Sequence, residues 1–130
     1  MKNAILWMIG CFLVGLVACK KESRLTEAKH HDVNTVTGAA TGTVNNPVKL
    51  TVTYPYTNGC DYIGSFEESR AGNKVTIKAL SKPVAKDAVC TQDAGTRTVE
   101  YNFTSATAGT FELQFLKPNG TTLNHTVTIQ

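Results

Sequence analysis

From Val48 to Ile129 the apolar residues return at every second position, a period that belongs to strands with one covered face and not to helices. Val48, Leu50, Val52 and Tyr54 alternate with Lys49, Thr51 and Thr53. Pro55 is expected to end this strand, because it donates no ladder hydrogen bond. Cys60, Tyr62, Gly64 and Phe66 share one face of a second strand, with Ile63 opposite. Val75, Ile77 and Ala79 alternate with Lys74, Thr76 and Lys78 in a third. Val99, Tyr101 and Phe103, then Phe111, Leu113 and Phe115, then Leu123, His125, Val127 and Ile129 supply three more inward faces. Turn signals separate them: Tyr56-Thr57-Asn58-Gly59, Ser69 to Asn73, Asp93-Ala94-Gly95 and Lys117-Pro118-Asn119-Gly120. In the last, Pro suits the first corner and Gly tolerates positive φ.

These segments predict an all-β domain, an antiparallel β-sandwich of six strands. A seventh comes from either Val33 to Val36 or Thr41 to Val44. A small open barrel is the alternative. Ala108-Gly109-Thr110-Phe111-Glu112-Leu113 resembles the A-G-x-Y/F-x-L turn into a late strand of bacterial immunoglobulin-like domains, which implies an immunoglobulin-like sandwich. Phe111 stands where a corner Tyr would offer a hydroxyl. The antibody pattern of Cys, Trp and Cys is also absent, since the single Trp is Trp7.

The N-terminus carries a different signal. Lys2 precedes an uncharged apolar run from Ala4 to Ala18, short for a membrane span of about 20 residues and suited to a secretory signal. The run ends in Leu16-Val17-Ala18-Cys19, which resembles the lipobox of bacterial lipoproteins. The resemblance implies removal of residues 1–18 and a diacylglyceryl group on the sulfur of Cys19. Lys20 stands where inner-membrane retention would place Asp, and Lys21-Glu22 is similar to a shortened export tag of Bacteroidota surface lipoproteins. The implied address is the bacterial outer membrane, on its periplasmic face or at the cell surface. In that oxidising setting Cys11 leaves with the signal, Cys19 is lipidated, and Cys60 and Cys90 are expected to pair. Closing a loop of about 30 residues stabilises by roughly 3–4 kcal/mol.

Residues 19–46 read as a flexible tether, charged at first (KKESRLTEAKHHD) and then rich in Thr, Gly, Ala and Asn, with the domain spanning 47–130. His30-His31-Asp32 is the one metal-like cluster, but adjacent residues on a flexible segment do not converge on an ion, so no metal is expected. Net charge is +3 with both signs interspersed, which lacks the clustered basic stripe of a nucleic-acid binder. A monomer is expected.

No nucleophile, base and orienting group stand in a known catalytic pattern. Glu67 and Glu68 are adjacent on a strand and face apart, and His125 occupies an inward scaffold position. Neither an enzyme nor a cofactor is expected. The richest recognition stretch is the loop around Cys60, with Tyr56, Asn58, Asp61 and Tyr62 as candidate binding residues. The expected function is a lipid-anchored, non-catalytic binding or accessory module for a protein, peptide or glycan. The alternative is a small inhibitor of an envelope hydrolase, a protease or lysozyme.

Overall fold

A computed structural model describes residues 24–130; the expected signal segment 1–18 and Cys19, the expected lipidation site, lie outside the described residues. Among the described residues eight strands form: β1 (Thr35–Gly38), β2 (Thr41–Gly42), β3 (Val48–Tyr56), β4 (Ile63–Ala71), β5 (Lys74–Ser81), β6 (Gly95–Phe103), β7 (Gly109–Leu116) and β8 (Thr122–Ile129). They make two sheets, of order β1-β3-β6 and β2-β8-β7-β5-β4. The inward parity produces the core between them: Leu50, Val52, Val75, Ile77, Phe103, Leu113, Phe115 and Val127 are all but sealed from solvent. Burying each large side chain contributes about 1.5–3 kcal/mol. The Tyr101 ring meets those of Phe66 and Phe115 edge to face, at centroid distances of 5.1 and 5.3 Å. A disulfide joins Cys60 to Cys90, with the Cα atoms 5.4 Å apart.

Each N-terminal candidate overlaps a strand, one in each sheet: β1 shares Thr35 and Val36 with the first and β2 shares Thr41 and Gly42 with the second, which raises the number from six or seven to eight. The chain changes sheet after Gly38, whose φ of 146° suits glycine alone. A Cβ there would stand 2.8 Å from the Lys49 carbonyl oxygen and from a Leu50 methyl. The described part of the expected tether is therefore not free. Val33 is 1% exposed and belongs to the core. The His31 N–H donates to Ala79 O and the Asn34 N–H to Thr53 O, at 2.8 and 2.7 Å. One buried valine and a run of backbone partners outweigh a polar composition.

The expectation of purely antiparallel sheets also fails. β5 runs parallel to β7, and β2 parallel to β8. The reason lies in β4, whose residues beyond Ile63 are largely exposed and include Glu67, Glu68 and Arg70. Such a strand suits a sheet edge. β5, with Val75, Ile77 and Ala79 buried, takes the interior place beside β7 instead. Its approach from the opposite direction makes the pair parallel, and β6 in the other sheet serves as the crossover that a parallel pair requires.

Two strand details depart from the alternation. The register shifts between Ile63 and Ser65, so Gly64 is the extra residue of a bulge. The bulge brings Ile63 inward together with Phe66, and leaves Tyr62 outside. Pro55 does not end β3, which runs on to Tyr56. Thr53 directs its carbonyl to the β1 side, so Pro55 faces that side too, and the β1 pairing has already stopped at Thr53. No ladder bond is lost there.

The edges of β4 and β6 are joined by side chains rather than by backbone pairing. The Tyr101 hydroxyl donates to Glu68, Arg70 donates to Thr104 O at 2.9 Å, and its guanidinium lies 5.1 Å from the Phe103 ring centroid. Burial, reinforced by the Glu68 carboxylate, pushes the Tyr101 phenol far above its usual range, so it remains a donor.

Candidate functional site

The antiparallel β3–β6 pair runs from Val48 opposite Phe103 to Tyr56 opposite Gly95. One end of the molecule therefore gathers residues 57–62, 82–94 and 117–121, and the disulfide ties the first two together. Residues 24–32 pass over the same end: Leu25 bridges Ala85 and His30 bridges Leu80.

The 57–62 loop is braced from within. The Asn58 side-chain oxygen accepts from Cys60 N–H at 3.0 Å, a local turn of the kind Asn favours. Gly59 N–H donates to Thr91 O at 2.8 Å, beside the disulfide. One Asp61 oxygen accepts from Thr57 N–H and hydroxyl at 3.0 and 3.3 Å; the other lies 2.7 Å from His31 Nε2. Burial works against charge on Asp61, but the Thr57 and His31 contacts together outweigh it and hold the carboxyl below its ordinary value. His31 in turn meets the Tyr54 ring edge to face at 5.1 Å.

Tyr56 and Tyr62 do not simply pack on the core. The Arg97 guanidinium lies between their rings, 3.9 Å from each centroid, and donates to Asp61 O at 2.6 Å. Each such cation–ring contact stabilises by about 0.5–1 kcal/mol where solvent still reaches it. Tyr56 donates to Asp93 at 3.2 Å, and Thr91 donates to the other oxygen of Asp93 at 2.7 Å. The Thr91 hydroxyl is the main reason the Asp93 carboxyl stands below its ordinary value. Tyr62 remains 45% exposed.

Beside this stack an open cleft of ≈ 540 Å³ separates residues 26–32 from the loop, lined by Lys29, His31, Asp32, Asn58, Asp61 and Lys82 among others. A second depression, lined by Asn58, Cys90, Gln92 and Asp93, lies on the other side of Asn58. All four candidate residues thus come to one end, in two roles. Tyr56 and Tyr62 form an aromatic surface around a cation, while Asn58 and Asp61 spend polar atoms on holding the loop. His30 and His31 turn to different partners, Leu116 O at 2.7 Å and Asp61. His125 makes a contact of 3.2 Å with Ala39 O.

Alternation alone does not single out Arg97 and His31. Arg97 shares its parity with Val99, Tyr101 and Phe103, and a lone cation on an inward face was the available signal. His31 stands out in the sequence only within the His30-His31-Asp32 cluster, whose neighbours read as tether.

Residues 50–129, more than half of the chain, match the model of a family described as the ORF11 beta-sandwich domain. No curated protein and no solved structure matches.

Proposed function

The chain belongs to the ORF11 beta-sandwich domain family, and on that scaffold we propose a non-catalytic binding module, held by lipid on Cys19 in the cell envelope. Its partner is a protein, peptide or glycan, met at the end that carries residues 56–62. The observation that carries this is the Tyr56–Arg97–Tyr62 stack, fixed by the disulfide and by Asp61 beside an open cleft. Aromatic rings already locked in place lose little conformational freedom on association, which is why binding loops favour them. Among the described residues the guanidinium makes one hydrogen bond, to Asp61 O, so its other N–H groups remain for carbonyl, carboxylate or sugar oxygens of a partner.

The fold is read as a variant of the immunoglobulin layout. β1, β3 and β6 take the places of strands A, B and E, and β7 and β8 those of F and G. The two strands between B and E have exchanged places. The address is the outer membrane, on the periplasmic face or at the cell surface, as the lipobox resemblance at Leu16 to Cys19 implies.

Affinity capture from detergent-solubilised native envelopes tests the loop. Tyr56→Ala and Tyr62→Ala should reduce partner recovery at least about fivefold, since aromatic anchors dominate such surfaces. Recovery equal to wild type, with circular dichroism unchanged, would exclude it. Mass spectrometry of the same material should find the mature chain starting at an acylated Cys19.

A further inference from the structure

The distance between the lipid and the folded domain is far shorter than a tether of residues 19–46 would allow. Such a segment reaches roughly 90 Å when extended. The domain instead begins to hold the chain at Arg24, whose carbonyl accepts from Lys86 N–H at 2.8 Å, and at Thr26, whose N–H donates to Val84 O at 2.8 Å. Four residues, 20–23, then separate Cys19 from Arg24, a span of at most about 18 Å. The end bearing residues 24–26 and 82–94 has little freedom to leave the membrane.

That same end is where apolar surface is left bare. Among the described residues the large hydrophobic side chains that stay exposed are Leu25 at 51%, Tyr62 at 45% and Val89 at 99%, and all three lie there. Val89 is not on a loose excursion. Its neighbour Cys90 is in the disulfide, Thr91 O accepts from Gly59 N–H, and Ala88 N–H closes a turn on Ala85 O at 3.0 Å. A braced loop that presents a wholly exposed valine suits insertion into an apolar phase.

The charges agree. Arg24, Lys82 and Lys86 are exposed, and none is ion-paired among the described residues; Glu22, Glu27 and Asp87 are the acids within three residues of them in sequence. The Leu25–Ala85 bridge sets Arg24 directly opposite Lys86. Like charges across a strand pair repel. An anionic group between them removes that repulsion, and a phospholipid surface supplies one.

We infer that the disulfide end docks on the bilayer, with Val89 and Leu25 entering the headgroup boundary and Arg24, Lys82 and Lys86 on lipid phosphates. This docking rests on lipid attachment at Cys19. It makes the cleft and Tyr62 a membrane-proximal site, so a partner is met at the membrane surface and not at the end of a stalk.

The only Trp of the chain, Trp7, leaves with the signal, so a tryptophan placed at a chosen position reports alone in the mature protein. Val89→Trp and, at the opposite end, Ala106→Trp are produced as the full precursor, matured in the native host and reconstituted into phosphatidylethanolamine vesicles with about one quarter phosphatidylglycerol. Bromine-labelled acyl chains should quench the residue-89 fluorescence at least about twofold more than that at residue 106. Adding Arg24→Gln and Lys86→Gln should reduce that difference. Equal quenching at the two positions in protein whose mass confirms acylation overturns the docking and leaves the anchor intact. Protection of residue 89 from an aqueous quencher without bromine quenching overturns it also, in favour of a protein contact. Absence of acylation removes the anchor itself.

Discussion

At the scale of single residues, the loop depends on groups that look unremarkable in the chain. Asp61 is the clearest case, because four features of the fold meet at one carboxylate: Thr57 twice, His31 and partial burial. Its folded pKa lies below the ordinary value, so the unfolded chain takes up the proton first as the solution is acidified. The stability Asp61 contributes is therefore complete above the ordinary carboxylate pKa and is lost as pH falls through the depressed folded value. Urea unfolding at about pH 6 and about pH 3 should show a smaller acid loss in Asp61→Asn than in wild type. Parallel losses in the two proteins would contradict this. Arg97 illustrates the complementary lesson: a cation at an inward position is tolerated because two aromatic faces and a carbonyl replace its water.

At the scale of elements, the decisive piece is the segment before β3. β1 pairs with β3 over Thr35–Gly38, β2 reaches the other sheet, and Val33 sits in the core between. Val33→Ala should lower the free energy of unfolding by about 2–3 kcal/mol, two methyl groups plus the cavity they leave. A tether residue would change it by less than about 0.5 kcal/mol, so chemical denaturation separates the two cases. β4 and β5 form the other instructive pair. Their turn and their alternation are legible, but which of them lies beside β7 is a contest between an amphipathic strand and a charged one, decided only when both are offered the same neighbour.

At the scale of the whole molecule, the two ends differ in kind. One end has the disulfide, the aromatic stack, the cleft and the bare hydrophobic side chains; the other has the short turns around Gly72 and Ala106. The disulfide closes a separation of 30 residues across the first of these ends. Cys60→Ser with Cys90→Ser should cost about 3–4 kcal/mol of unfolding free energy. It should also speed amide exchange at Gly59, whose N–H is bonded to Thr91 beside the bridge, while leaving the amides of β7 and β8 slow. Uniform acceleration across all strands would show the bridge to be a general staple and not a brace of this end.

Much of this was readable from the chain. Alternation with period two specifies six of the strands and nearly all of the inward faces, because a pleat sends neighbouring side chains to opposite sides regardless of what lies beyond. Turn residues placed the 117–121 hairpin, whose Gly120 has φ 87°. The Cys60–Cys90 pair and the gathering of Tyr56, Asn58, Asp61 and Tyr62 also followed. Strand order, parallel pairing, the bulge at Gly64 and the capture of residues 24–46 were decided in three dimensions. Each of those turns on which distant surface is available to be covered. Local pattern states how a segment divides into two faces; only the assembled fold supplies the partner that determines where each face goes.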